Sequence, residues 1–132
     1  ATESHAVPLV RMTNTVVAHG NKPPAEIVAE VKDGYFIVNH RIPSISESRE
    51  NFRISAQKVY KIESGKITKL YRQGGITADS KDFLMNIDAV GNDFFVFPIP
   101  DCGKGQPMQI IRVGNGGPTL RSKAKLTGRR EL

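Results

Sequence analysis

The chain has 132 residues, 39% of them hydrophobic and 24% charged, and its formal net charge is +6. This composition is that of a folded soluble domain, and it excludes a disordered chain; no apolar run approaches the roughly 20 residues of a membrane span. The length suits one domain over residues 1–132, which can bury about two-thirds of its unfolded surface. We expect a cytoplasmic protein, because the first residues lack the layout of a signal peptide. The sequence starts without Met, so we also expect a fragment or a trimmed form of a longer polypeptide.

The positive charge is concentrated at the C-terminus. Residues 121–132 contain five basic residues and one acidic residue, which is a net charge of +4 out of the total of +6. Basic tails are commonly solvated, and no aromatic-rich strand or recognition helix accompanies this one. Nucleic-acid binding through the tail is therefore the weaker interpretation.

The first predicted elements are a strand and a short helix. Residues 9–17 alternate loosely between apolar and polar side chains and end at a turn signal, which favours a strand. Pro24 fits the first turn of a following helix, Ile27 lies on its apolar stripe, and Gly34 ends it. We expect this amphipathic helix to cover one side of a sheet.

A strand and a hairpin follow the helix. Residues 35–39 form a continuous β-rich run, as expected of a buried strand, and a polar loop is predicted after it through Ser48. Residues 52–62 and 66–71 flank a short connection that contains Gly65. A Gly-containing connection of this length predicts a β-hairpin with a bulge.

The second half predicts one more helix and further strands. Residues 82–90 carry apolar side chains at helical spacing, Asp79 or Ser80 can cap the start, and Gly91 can end the helix. The further predicted strands are residues 94–97, 108–113 and 120–126. The predicted fold class is therefore mainly β, of the α+β type, with an antiparallel, barrel-like sheet and two short helices.

Cys102 is the only cysteine, so an intrachain disulfide is impossible. It lies in a predicted loop in which Gly103 and Gly105 flank Lys104, and glycines let another group approach the backbone closely. A thiol there could be a metal ligand or a nucleophile, but a lone cysteine is more often a small buried apolar residue. A zinc site needs about three or four protein ligands, and no others recur here at metal-binding spacing. We expect Lys104 to face solvent.

The remaining candidates are histidines, aspartates and a Gly-rich run. The histidines show no paired spacing and are expected on the surface: His5, His19 and His40. The aspartates of the C-terminal third are expected on a helix surface, in a turn and in the Cys102 loop respectively: Asp88, Asp93 and Asp101. We assign no catalytic carboxylate to them. Residues 114–118 lack the Lys-Ser/Thr of a phosphate-binding loop, which favours a strand-to-strand turn, and no nucleophile-elbow motif is present.

Three blocks in order resemble the C-terminal region of the TldD/PmbA family of zinc metallopeptidases, once described as modulators of DNA gyrase. The first block is Arg11-Met12-Thr13-Asn14-Thr15, followed by Glu26-Ile27-Val28 and Gly34-Tyr35. The second is Asp88-Ala89-Val90-Gly91-Asn92-Asp93. The third is Cys102-Gly103-Lys104-Gly105-Gln106, with Gly117-Pro118-Thr119-Leu120 behind it. Their order and spacing extend the resemblance over nearly the whole chain.

The resemblance implies a β-rich C-terminal domain that follows an upstream peptidase domain. In the family, an upstream His-Glu-x-x-x-His helix supplies two zinc ligands and a general base, and the cysteine of the Cys-Gly-Lys block is the remaining ligand. That cysteine corresponds to Cys102, and the His-Glu-x-x-x-His motif is absent from this chain. The resemblance also implies a homodimer or a heterodimer with a TldD/PmbA-like subunit, and a peptide substrate.

The sequence thus favours a domain that contributes Cys102 to a zinc site in the full-length parent and part of the peptide cleft. We expect no catalytic residue in this chain, little zinc bound to it in isolation, and no activity on its own. The alternative is a non-enzymatic interaction or scaffold domain, in which Cys102 is only packed.

Overall fold

The computed structural model describes residues 3–46, 48 and 50–128, and for Ile42 the backbone only. The described part is mainly β, with mostly antiparallel pairing and two short helices, as predicted. The helices are α1 (Pro24–Ala29) and α2 (Ser80–Met85). The strands are β1 (Thr15–Val16), β2 (Asp33–Ile45), β3 (Asn51–Glu63), β4 (Lys66–Tyr71), β5 (Gly74–Asp79), β6 (Ala89–Val90), β7 (Phe95–Lys104), β8 (Gln109–Gly117), β9 (Leu120–Arg121) and β10 (Lys125–Gly128). Within the described residues, no helix is long and apolar enough to cross a membrane.

The larger sheet is built on two 13-residue strands, β2 and β3, which pair antiparallel along their whole length. β4 and β5 pair with the other edge of β3, and β10 pairs with β5. β2 extends well beyond the predicted strand of residues 35–39, and the predicted polar loop is shorter as a result. A β-bulge between His40 and Ile42 accommodates the extra polar residues within the strand.

Half of the buried apolar side chains of the described residues lie on β3: Ala56, Val59 and Ile62. The others are Ile27 of α1, which is 3% exposed, Ala89 of β6 and Val113 of β8. The helix has Pro24 in its first turn as predicted, but it ends before Gly34, which belongs to β2.

The β3–β4 hairpin is confirmed, and it packs against the end of α1. The register shift that marks the bulge falls between Lys61 and Ile62. Gly65 has a φ of +75°, and a Cβ there would lie 2.3 Å from the Ala29 carbonyl oxygen. The Gly65 N–H donates to the Val31 carbonyl oxygen over 2.8 Å, so the turn and the helix end fix each other.

The second helix is shorter than predicted. Asp79, one of the two predicted caps, is the N-cap, because its Oδ1 accepts from the Asp82 N–H over 2.9 Å. The helix ends at Asn86, whose side chain donates to the Asp82 carbonyl oxygen over 2.7 Å. The prediction of helix through residue 90 is wrong, because Ala89–Val90 forms β6 and pairs with β9.

A second sheet has three strands in the order β1–β8–β7, and β6 and β9 form a third sheet of two strands. β7 and β8 form an antiparallel hairpin, and β1 pairs parallel with the outer edge of β8. The predicted strand of residues 9–17 is reduced to Thr15–Val16.

The predicted turn at residues 114–118 is wrong, because its first four residues continue β8 opposite β7. Glycine is required there by close cross-strand packing, since a Cβ on Gly116 would lie 2.6 Å from the Phe95 carbonyl oxygen.

The basic C-terminus is part of the fold as far as it is described. The predicted strand of residues 120–126 is two strands, because β9 pairs with β6 and β10 pairs with β5. The interpretation of residues 121–132 as a solvated tail is therefore wrong for Arg121 and for residues 125–128, which are paired in strands. Residues 129–132 lie outside the described part of the chain.

Candidate metal-ligand site at Cys102

Cys102 lies on a strand. It belongs to β7 and is paired with Ile111 of β8, just past a register irregularity that follows Ile99. The predicted loop is displaced toward the C-terminus, to the hairpin turn around Gly105, which has a φ of +94°. The displacement arises because Gly103 and Lys104 pair with β8 and thereby extend the strand. The pairing of the strand fixes the backbone of Cys102, and the side-chain torsion χ1 sets the direction of its Sγ.

An N-terminal segment, residues 7–11, lies against this end of the hairpin. Gln109, which is 6% exposed, donates from Nε2 to the Val7 carbonyl oxygen over 2.7 Å. Lys104 donates from Nζ to the Val10 carbonyl oxygen over 2.8 Å. The Lys104 ammonium therefore binds the N-terminal segment, whereas the sequence predicted that it faces solvent.

Arg11 contacts the thiol directly. Its Nη2 donates to the Cys102 Sγ over 3.2 Å and also to the carbonyl oxygen of the same residue. The thiol is half-buried, and the cysteine is free. A guanidinium has only donors, so the sulfur is the acceptor in this contact.

The described residues offer one soft donor and no complete metal site. No group of three or more His, Cys, Asp or Glu side chains comes together within residues 3–46, 48 and 50–128. The three histidines are exposed, as predicted: His5, His19 and His40. One thiolate fits one position of a tetrahedral zinc site. The chain thus suits zinc as a contributor of a single ligand, and the remaining ligands would come from elsewhere.

The two carboxylates of the second resemblance block hold structural elements together. Asp88 lies after α2 rather than on it, and its Oδ1 accepts from the Arg121 Nε over 2.7 Å, which lowers the pKa of Asp88. Asp93 accepts from the backbone N–H of Thr119 over 2.9 Å and from its hydroxyl over 2.7 Å. Desolvation raises the pKa of Asp93, but the Thr119 hydrogen bonds outweigh it and the pKa is lowered. Asp101 is exposed on β7 beside the cysteine.

Sequence reasoning missed an ion-pair cluster around Glu30. The Glu30 carboxylate accepts from the Lys22 Nζ over 2.7 Å and from the Arg121 Nη1 over 2.9 Å. These hydrogen bonds lower the pKa of Glu30, and the one from Lys22 has the largest effect. Since Arg121 also binds Asp88, the cluster ties the end of α1 to β9. No local sequence pattern predicts this cluster, because Arg121 is 33 residues from Asp88 and 91 residues from Glu30 in the chain.

Sequence reasoning also missed an exposed apolar face on β7. Phe95 and Phe97 are 56% and 53% exposed, and their rings contact edge to face with centroids 4.7 Å apart. Val96, between them on the opposite face, is exposed as well. The prediction of a strand at residues 94–97 is confirmed for residues 95–97. The exposure of its side chains could not be predicted, because it depends on which other elements pack on this strand.

The described residues form a mainly β domain that carries one half-buried thiol. Residues 1–128 match the family described as the PmbA/TldA metallopeptidase C-terminal domain, and the chain belongs to this family. A metalloprotease of Methanocaldococcus jannaschii is 32% identical over 120 residues, covering 91% of this chain and 26% of the relative. A protein of Saccharolobus solfataricus named as a zinc metalloprotease TldD homolog is 29% identical over 120 residues, with the same coverage of 91% and 26%.

Solved structures share the fold. The structure of TldE from Thermococcus kodakarensis aligns with a TM-score of 0.63 at 17% identity, covering 86% of this chain and 23% of that one. A protein of Thermotoga maritima, described as a proposed modulator of a DNA gyrase, aligns with a TM-score of 0.63 at 20% identity, covering 85% of this chain and 23% of that one. The chain thus spans about a quarter of the length of the proteins that it matches.

Proposed function

We propose that this chain is the C-terminal domain of a TldD-like zinc-dependent peptidase, that Cys102 is a zinc ligand, and that the domain forms part of the peptide cleft. The observation that supports this most directly is the arrangement at Cys102. The only thiol of the sequence lies half-buried on a paired strand, and a permanently charged donor contacts its sulfur. Such a sulfur suits a divalent metal better than it suits an apolar pocket.

In this proposal the domain is not catalytic by itself. A catalytic zinc site takes about three protein ligands and keeps one position for water, and this chain provides one plausible ligand. When bound, zinc polarises the scissile carbonyl and activates water. The contribution of this chain is to hold one ligand at a fixed place on a sheet, while an upstream His-Glu-x-x-x-His helix supplies the other ligands and the general base.

The proposed partners are the upstream peptidase domain, a TldD/PmbA-like subunit in a homodimer or heterodimer, and a peptide substrate. The exposed apolar face at Phe95 and Phe97 supports packing against another protein surface. The same face supports the rival function, a non-enzymatic interaction domain in which Cys102 is only packed. Nucleic-acid binding has weaker support, because Arg121 of the basic C-terminus is engaged in ion pairs.

The deciding experiment is Cys102→Ser in the full-length protein. The hydroxyl is nearly the size of the thiol but coordinates zinc weakly, so we expect zinc content and peptidase activity to fall at least about 10-fold with little change in the melting temperature. Zinc is measured by elemental analysis of the purified protein, and stability by thermal unfolding.

Ile111→Val is the matched control, because Ile111 is paired with Cys102 and this change alters local packing without removing a donor atom. It should keep both zinc and activity. A Cys102→Ser protein that retains its zinc but melts at a lower temperature would establish the packed, non-enzymatic alternative instead.

A further inference from the structure

We infer that Arg11 is a positioning residue that fixes the direction of the Cys102 thiolate toward the metal; this inference rests on the proposed function of Cys102 as a ligand. Arg11 donates from one nitrogen, Nη2, to both the Sγ and the carbonyl oxygen of Cys102. The carbonyl oxygen is part of the backbone, whereas Sγ moves with the side-chain torsion χ1. A donor shared by the two atoms therefore favours one χ1 rotamer of the cysteine.

The arginine is itself held on both sides. Immediately before it, the Val10 carbonyl oxygen accepts from the Lys104 ammonium over 2.8 Å. Three residues after it, the Asn14 Oδ1 accepts from the Gly114 N–H over 2.7 Å. One anchor lies on β7 and the other on β8, so the Arg11 backbone is fixed to the same hairpin that carries the thiol. The guanidinium thus has a defined place relative to Cys102.

The chemistry of the contact suits a metal-bound sulfur. A thiolate has several lone pairs, so it can accept an N–H from one side while it binds a metal from another. Arginine is always charged and presents donors on a rigid plane. The Arg11 Nε is buried and has no hydrogen-bond partner within the described residues, whereas Nη2 donates to both atoms of Cys102. Groups that orient metal ligands in this way commonly contribute about 10- to 100-fold to metal affinity.

The contact could instead serve only to fasten the N-terminal segment, since Val7 and Val10 are also bound to the hairpin. The two roles differ in what they predict. A fastening role predicts that removing the guanidinium lowers stability and leaves the metal–sulfur bond as it was. A positioning role predicts that the metal–sulfur bond changes at unchanged stability.

The experiment compares Arg11→Gln, Arg11→Lys and Arg112→Gln in the full-length protein. Arg112 is exposed on β8 next to Ile111, which is paired with Cys102, so Arg112→Gln makes the same chemical change on the same hairpin away from the thiol. Zinc affinity is measured by competition with a chromophoric chelator. The metal–sulfur bond is followed by the near-ultraviolet thiolate-to-cobalt charge-transfer band of the cobalt-substituted protein. Thermal unfolding of the metal-free protein reports on stability.

We expect Arg11→Gln to bind zinc about 10- to 100-fold more weakly and to have a weakened or shifted charge-transfer band, with an unchanged metal-free melting temperature. Arg11→Lys, which keeps a charged donor, should recover part of both, and Arg112→Gln should match the wild type. The inference is overturned if Arg11→Gln keeps the wild-type affinity and band, or if any loss of affinity parallels a loss of metal-free stability. If Arg11→Gln does not fold, Arg11→Lys provides the test. The inference is overturned if Arg11→Lys has the zinc affinity and the charge-transfer band of the wild type.

Cys102→Ser separates this inference from the proposed function. If the serine variant keeps its zinc, Cys102 is no ligand and both statements fail. If the serine variant loses its zinc while Arg11→Gln retains it, the ligand assignment stands and only the role of Arg11 is wrong.

Discussion

The larger sheet and the β7–β8 hairpin use the same kind of structure for different purposes. The larger sheet buries aliphatic side chains of β3, with Val59 and Ile62 at 3% and 2% exposed. The hairpin leaves Phe95 and Phe97 more than half exposed and is tied to its neighbours through polar contacts from Gln109, Lys104 and Arg11. Burial of apolar area is the main source of stability. The difference teaches that, among the described residues, β3 contributes three buried apolar residues and the hairpin only Val113, while the hairpin carries the candidate ligand.

The largest expected effect comes from two truncations that test the difference in burial between β3 and the hairpin. Ile62→Ala removes a fully buried side chain and should lower the free energy of unfolding by about 2–5 kcal/mol. Phe97→Ala removes a larger side chain, but one that is 53% exposed, so its loss should be smaller than that of Ile62→Ala, with ~0.5–1.5 kcal/mol of it from the contact with Phe95. Urea unfolding of the 132-residue chain measures both. Equal losses would break the comparison, since they would show that the hairpin face is as important to the core as β3.

A second effect concerns glycine in the two sheets. Gly65→Ala places a Cβ against the Ala29 carbonyl oxygen at a φ of +75°, and such strain costs about 1–3 kcal/mol. Gly117 of β8 has ordinary space, since its nearest neighbour would be the Val17 Cβ at 3.5 Å. Gly117→Ala should be neutral or stabilise the chain by up to about 1 kcal/mol, because alanine restricts the unfolded chain. Thermal unfolding of the two variants, compared with the wild type, decides this; a Gly65→Ala protein as stable as Gly117→Ala would contradict it.

The elements predicted correctly are those specified by neighbouring residues. Pro24 at the start of α1, the Asp79 cap and the Gly65 turn each act within a few residues, so their signals are present in the local sequence. The end of α2 was missed because apolar residues at helical spacing also suit β6, and the choice was made by a distant partner, β9. The glycines of β8 predict a turn by their local sequence, but their pairing with β7 makes them part of a strand.

The candidate site was only half predictable. Cys102 was identified because it is the single cysteine within a family-like block, which is a property of the sequence alone. Its position on a strand depends on the register of β7 against β8. Its contact with Arg11 joins residues 91 positions apart, and a single sequence carries no signal for such a pair.

The smallest expected effect is a pH dependence that belongs to the ion-pair cluster beside the larger sheet. The pKa values of Asp88 and Glu30 are lowered in the folded chain, Asp88 by its hydrogen bond from Arg121, and Glu30 by those from Lys22 and Arg121. A lowered folded-state pKa contributes stability that is present above the unfolded-state value, about 4 for these carboxyls, and is lost as the pH falls through the folded-state pKa. Acidification should therefore destabilise the wild type through these groups.

Arg121→Gln should reduce that acid-dependent loss, since one of the two cations of the cluster is removed. Near neutral pH the variant should be slightly less stable than the wild type, and the two stability curves should converge at acidic pH. The groups are exposed, so the difference should be small and should shrink further in high salt. Urea midpoints measured across the acidic range test this, with Arg112→Gln on the hairpin as the matched loss of a positive charge. If Arg112→Gln changes the acid dependence as much as Arg121→Gln, then net charge governs it, and the cluster makes no specific contribution.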